Sequence, residues 1–140
     1  MSNPLLLDTH AWVWLMLGDR QLGKQARTRL EQAAARTALQ VSVLSVWEVA
    51  MLESRGRLVL KIDCDTWIQD ALRAPGLALA NLTPHIAVCS TRLPGAFHGD
   101  LADRLIVATA RETNSALVTA DSAILGYAAA GYVQAVDARR

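Results

Sequence analysis

Lysine is nearly absent: of the 14 basic residues in this 140-residue chain, 12 are arginine, and the only lysines are Lys24 and Lys61. With a formal net charge of +1, the chain has no strongly basic face, so charge alone does not signal tight, salt-sensitive binding to nucleic acid. Arginine is the cation whose planar fork suits phosphate and carboxylate groups, so contact with nucleic acid is permitted rather than argued for. Cysteine is limited to Cys64 and Cys89, at no metal-type spacing, which argues against a disulfide framework and reads as two buried free thiols without a functional role. No apolar run is long enough for a secretory segment or a membrane span. The opening Met-Ser-Asn-Pro-Leu-Leu-Leu carries no basic residue, so a cytoplasmic protein with no membrane partner is expected.

Other absences concern chemistry. Neither G-x-x-x-x-G-K-[ST] nor G-x-G-x-x-G occurs, which argues against nucleotide-dependent reactions. No G-x-S-x-G elbow is present and neither cysteine has a recognisable catalytic setting, so acyl transfer lacks a nucleophile. What is there is a globular composition, 52% hydrophobic and 19% charged, suited to one domain over residues 1–140 that buries roughly two-thirds of its unfolded surface.

Leu5-Leu6-Leu7-Asp8 reads as a buried strand ending in an acid, followed by a helix through Trp12, Leu15 and Met16. An arginine-studded helix over 24–36 precedes a strand at 39–43. Ser45 then opens a helix whose nearly all-round apolar character predicts burial. Helices near 65–74 and 84–92 form a middle segment without a strand. A helix over 100–113 leads to a strand at 116–119, a helix from Asp121 and a last strand at 132–136. This alternation predicts an α/β fold with a central parallel sheet, helices on both faces and ligands at the carboxyl ends of the strands.

Five acids stand where strand ends and helix starts could converge: Asp8, Glu48, Asp100, Asp103 and Asp121. Each has a structural reading as well. Asp8, Asp100 and Asp121 suit helix N-caps, and Ser45-Val46-Trp47-Glu48 reads as a capping box. The functional reading rests on their number. Carboxylates gathered at one rim repel until a cation neutralises them, and Mg²⁺ or Mn²⁺ would do so with oxygen ligands while keeping water for phosphodiester hydrolysis. His10 and His98, near Asp8 and Asp100, read as packing or supporting residues rather than ligands.

The strings Leu5-Leu6-Leu7-Asp8-Thr9-His10-Ala11-Trp12, Ser42-Val43-Leu44-Ser45-Val46-Trp47-Glu48, His98-Gly99-Asp100-Leu101-Ala102-Asp103-Arg104-Leu105-Ile106 and Leu117-Val118-Thr119-Ala120-Asp121 occur in this order. Together, from Leu5 to Val136, they resemble the PIN-domain toxins of the VapC type. The resemblance implies a three-layer α/β/α fold and Mg²⁺- or Mn²⁺-dependent endoribonuclease activity. It also implies a homodimer and a cognate VapB-like antitoxin as partner. It assigns Asp8, Glu48, Asp103 and Asp121 as the catalytic, metal-binding acids, Asp100 as an additional acid, and Thr119 and Arg104 as supporting residues that hold a carboxylate or touch phosphate. Where one branch of the family often reads His-Arg-Asp-Pro-Phe-Asp-Arg, this chain has Gly99 and Leu101-Ala102, which leaves the role of Asp100 open. Trp12, Trp14, Trp47 and Met51 are candidates for an antitoxin groove, with a place in the core as the alternative. A PIN-like scaffold that binds without cutting is a second reading. A phosphatase of the haloacid-dehalogenase type is a remote one, because His10 stands where that class needs a second aspartate.

Overall fold

Three consecutive leucines lie at the centre of the molecule because they are covered from both sides. The computed structural model describes residues 3–140, so Met1 and Ser2 of the stretch read for a leader lie outside the described residues. Leu5–Leu7 form strand β1, and all three side chains are buried. Successive strand residues face opposite ways. Leu5 and Leu7 join Trp12, Leu30, Val41 and Val118 in one core, whereas Leu6 joins Ile106, Leu117 and Ile124 in the other. A strand buried on both faces needs no polar alternation, and hence the unbroken apolar run.

Helices α1 (Thr9–Leu17) and α2 (Lys24–Ala35) lead to β2 (Leu39–Ser42), then α3 (Val43–Ser54), α4 (Cys64–Leu72) and β3 (Leu77–Ala80). The chain continues through α5 (Pro84–Ser90), α6 (Leu101–Glu112), β4 (Ala116–Thr119), α7 (Ser122–Ala129) and β5 (Gln134–Asp137). The five strands are all parallel, in the order β3-β2-β1-β4-β5. From β1 the chain steps outward through β2 to β3, then returns across the sheet to β4 and steps the other way to β5. Right-handed crossovers in opposite directions place their helices on opposite faces. Accordingly α1, α2 and α4 pack on the Leu7 side, and α6 and α7 on the Leu6 side, giving three layers. The reversal falls at β1, whose carboxyl end therefore opens into a crevice between the two helical layers. Among the described residues, no helix is long and apolar enough to cross a membrane.

Three local expectations are corrected. The middle segment contains a strand, β3, which sequence periodicity misses: Leu77-Ala78-Leu79-Ala80 uses good helix formers, is only four residues long and lies at a sheet edge with no fully buried side chain. Gly76 makes its turn possible, because φ is +77° and a Cβ there would lie 2.0 Å from the Ala34 carbonyl oxygen. The third helix begins at Val43 rather than Ser45, with Ser42 as the cap accepting from the Leu44 amide at 3.1 Å. Ser42 ends β2 and caps α3 at once, so the strand stops short of residue 43. Finally, α3 is not buried all round: Ser45 and Val49 are buried, but Trp47 is 57% exposed.

Leu6→Ala, at a fully buried position, should cost about 2–5 kcal/mol in urea unfolding, whereas Leu101→Ala, on a solvent-facing side chain, should change stability by less than ~0.5 kcal/mol. Equal costs would contradict the two-sided burial of β1.

Candidate active site

The pairing of β1 with β4 sets Leu7 beside Val118, and the next residue on each strand is Asp8 and Thr119. The Asp8 amide donates to the Val118 carbonyl at 2.9 Å, extending the ladder by one bond. Beyond it, the Thr119 hydroxyl donates to Asp8 Oδ2 at 2.6 Å and accepts from the Asp121 amide at 3.0 Å. One hydroxyl thus fixes the Asp8 carboxylate and the backbone that carries Asp121. Asp8 Oδ1 accepts from the Thr9 amide at 2.9 Å. Asp8 is only 6% exposed, and both of its oxygens are spoken for, each with a second lone pair remaining.

Glu48 reaches the same rim from α3. Its Oε1 accepts from the Thr9 hydroxyl at 2.7 Å, with the buried Ser45 Oγ 2.9 Å from the same hydroxyl. Ser45 and Glu48 therefore form no capping box; they face Thr9 because the cap lies three residues earlier, at Ser42, and the helix turns both inward. Asp100 caps α6, accepting from the Asp103 amide at 2.9 Å, and Asp121 caps α7, accepting from the Ile124 amide at 3.0 Å. Each of these two caps uses one carboxylate oxygen. The structural and functional readings of these aspartates are therefore compatible. Gly99 is needed in this turn: a Cβ would lie 2.4 Å from Phe97 and 2.8 Å from the Asp103 Cβ, so the loop passes too close to α6 for any side chain.

The electrostatics record the crowding. Burial, then the nearby charges of Asp100, Asp121, Asp8 and Glu48, push the Asp103 carboxyl up to about 7. Burial also raises Asp8, against the Thr119 and Thr9 hydrogen bonds, and raises Glu48, against the Thr9 hydroxyl. Among the described residues, none of these acids forms an ion pair with arginine, lysine or histidine; the pairs present are Arg73–Asp70, Arg140–Asp137 and His85–Glu112. Desolvated like charges without a counter-charge are what a divalent cation relieves, and an all-oxygen donor set suits a hard one. Among the described residues, the His/Cys/Asp/Glu group whose donor atoms all lie within 4.8 Å of one another is elsewhere, at His85, Cys89 and Glu112. Among the described residues, no three of the five acids bring their oxygens that close together.

Arg104 does something other than orient a carboxylate. It donates to the Ser90 carbonyl through Nε and to the Phe97 carbonyl through a terminal nitrogen, both at 2.9 Å, tying α6 to α5 and to the loop between them. His98 is exposed. His10 lines a hollow of about 360 Å³ with Trp14, Gln21, Ala120, Asp121 and Arg139, the guanidinium of Arg139 lying 5.9 Å from the Trp14 ring centre. A larger hollow of about 1010 Å³ runs beside β5 and is lined by none of the five acids. Trp12 and Trp14 are core residues, so of the aromatic groove candidates only Trp47 is open to solvent. Sequence reasoning missed Thr9, Ser45 and Arg139. The Thr9–Glu48 link spans 39 residues and leaves no local signal, although a hydroxyl directly after a strand-end acid is a place to look.

A carboxyl whose pKa is higher in the folded than in the unfolded chain binds protons preferentially when folded, so its contribution to stability falls as pH rises between the two values. For Asp103 that window runs from 3.8 to about 7. Metal-free Asp103→Asn should therefore gain in melting temperature over the unsubstituted chain as pH is raised through this window, and the two should converge at its acid end. Parallel melting profiles across the window would show that Asp103 carries no such strain.

A family model described as PIN domain matches residues 5–129. Ribonuclease VapC22 of Mycobacterium tuberculosis (strain ATCC 25618 / H37Rv) is 36% identical over 119 residues, which is 85% of this chain and 88% of that protein. Two solved structures share the fold at lower identity. VapBC2 from Rickettsia felis, bound to a DNA fragment from its promoter, has a TM-score of 0.68 at 16% identity, covering 94% of this chain and 96% of that one. A toxin-antitoxin complex from Klebsiella pneumoniae has a TM-score of 0.64 at 20% identity, covering 95% and 96%. With the acids gathered at the carboxyl end of a parallel sheet and a family match over most of its length, the chain belongs to the PIN domain family.

Proposed function

We propose that this protein is a divalent-metal-dependent endoribonuclease and the toxin of a toxin-antitoxin pair. The observation that carries the metal-dependent chemistry is the gathering of Asp8, Glu48, Asp100 and Asp121 around the half-buried Asp103 carboxyl, with no ion pair to a cationic side chain among the described residues; burial and then this crowding raise Asp103 to about 7. Asp8, Glu48, Asp103 and Asp121 would hold Mg²⁺ or Mn²⁺, which when bound supplies charge neutralisation at the attacked phosphate and a water of lowered pKa. The choice of RNA over other phosphodiesters is supported by the 36% identity to a protein named a ribonuclease. The residues themselves divide the work. Thr119 and the Thr9 amide hold the Asp8 carboxylate at the end of β1, and the Thr9 hydroxyl holds Glu48. Asp100 fixes the first turn of α6 and so the direction of Asp103. Thr119 is a positioning residue in this scheme, and Arg104 keeps α6 in place through backbone contacts.

The partner reading is supported by the solved neighbour from Klebsiella pneumoniae, which is a toxin-antitoxin complex. The exposed Trp47, with half-buried Met51 one turn on along α3, offers an apolar strip near Glu48 that an antitoxin segment would cover. The protein pairs as a homodimer, as the sequence resemblance implies, and a cytoplasmic setting belongs to the same proposal.

Antitoxin-free protein incubated with total bacterial RNA should make discrete cuts with Mn²⁺ or Mg²⁺, none with EDTA, and none in Asp103→Asn, as read by mapping new 5′ ends. Cutting by Asp103→Asn at the original rate would reject the assignment. Thr119→Val removes the hydroxyl while keeping the shape, and should lower metal affinity or cleavage by about 10–100-fold, the usual effect of losing a partner that orients a ligand. The same substitution should leave the fold intact by circular dichroism. Binding of either ion should raise the melting temperature of the unsubstituted chain, by an amount that grows with the logarithm of metal concentration above Kd.

A further inference from the structure

Both cysteines are half-exposed rather than buried, and one of them has metal-binding neighbours. His85 and Cys89 lie four residues apart on α5, and hence on one face of that helix. Glu112, the last residue of α6, comes up against that face. His85 Nε2 is 3.1 Å from Glu112 Oε2 and 3.5 Å from Cys89 Sγ, and all three donor atoms lie within 4.8 Å of one another. Zinc binds histidine nitrogen at about 2.0–2.1 Å, carboxylate oxygen at about 2.0–2.2 Å and thiolate at about 2.3 Å; tetrahedral angles then set N···O near ~3.4 Å and N···S near ~3.6 Å. The observed separations are already close to two edges of that tetrahedron. Without an ion the three groups hydrogen-bond to one another, His85 to Glu112 and Cys89 to His85, and a cation would replace those hydrogen bonds with bonds to itself.

We propose that His85, Cys89 and Glu112 form a second metal site, selective for a borderline-soft divalent cation of the Zn²⁺ kind, that clips α5 to α6. One sulfur, one imidazole nitrogen and one carboxylate oxygen make a mixed donor set that Mg²⁺ and Mn²⁺ do not favour, so the site and the all-oxygen rim would sort their ions by chemistry. Glu112 is nine residues along α6 from Asp103, about 13 Å at the helical rise, so one ion cannot serve both places. The two helices run antiparallel as a hairpin. Arg104 already ties the end nearer Asp103 through the Ser90 carbonyl, and the metal would tie the other. Binding releases the Cys89 thiol proton to solvent as the thiolate–metal bond forms, and water fills the fourth position.

The test is a titration of the full-length chain with Co²⁺, a spectroscopic stand-in for Zn²⁺, in excess Mg²⁺. A near-ultraviolet thiolate-to-cobalt absorption should grow to one equivalent and be displaced by Zn²⁺. Cys89→Ser should abolish it, and His85→Ala and Glu112→Gln should each weaken binding by at least ~10-fold. Cys64→Ser and Asp103→Asn should leave it unchanged, and Cys89→Ser should still cut RNA with Mn²⁺. Absence of the band, its survival in Cys89→Ser or its loss in Cys64→Ser would overturn the proposal. Because the readout is the sulfur–metal bond, the result stands apart from whether the chain proves to be a ribonuclease.

Discussion

The hydrogen bond from Thr119 to Asp8 is the contact on which the rest of the site depends. It is a neutral hydroxyl donating to a nearly desolvated carboxylate, and it spans 111 residues, joining the first strand to the fourth. Burial alone would favour the protonated acid, while the hydroxyl and the Thr9 amide favour the charged one. The two hydrogen bonds thus oppose the protonation that burial favours. That opposition also depends on sheet register. If β4 slipped by one residue against β1, Thr119 would turn to the opposite face and Asp8 would lose its partner. The two leucine-lined cores prevent such a slip, because the same shift would exchange Leu117 and Val118 between them. Core packing and the electrostatics of the acid are thus set by one register.

Much of this arrangement is legible in the order of residues alone. A strand buried on both faces is an unbroken apolar run, and an acid directly after it marks a carboxyl end, which places Asp8. Asp121 is placed in the same way, through the strand that precedes it and its suitability as a cap. What cannot be read locally is relative position across the chain. β3 is invisible because Leu77-Ala78-Leu79-Ala80 is too short to show a period and its residues favour helix. The start of α3 is ambiguous because Ser42 and Ser45 are both plausible caps, and only Ser45 is followed by a glutamate at the distance a capping box needs. The structure uses Ser42. Strand pairing carries β2 through that residue, and Ser45 is then turned toward Thr9.

Trp47 shows a different limit. Hydrophobicity around the whole of α3 predicts a buried helix, yet more than half of the Trp47 surface is open. Composition reports that a face avoids water; it does not say whether the cover comes from the same chain. Trp12 and Trp14, of the same residue type, are covered by their own chain and serve as core. An apolar residue left open beside Glu48 is consistent with a surface completed by another polypeptide.

The helices around the cluster of acids offset part of its repulsion. Asp8, Asp100 and Asp121 each sit at the N-terminus of a helix, where unpaired amides and the helix dipole favour negative charge. Glu48, in the second turn of α3, lacks that position and relies on the Thr9 hydroxyl. Asp103 has neither. Its carboxylate makes no hydrogen bond among the described residues, so nothing offsets its burial and then the repulsion of its neighbours, and its pKa is pushed up to about 7. The caps therefore do more than begin helices. Together with the Thr9 hydroxyl they make four of the five acids tolerable one by one, and concentrate the remaining strain on a single residue where a cation would relieve it.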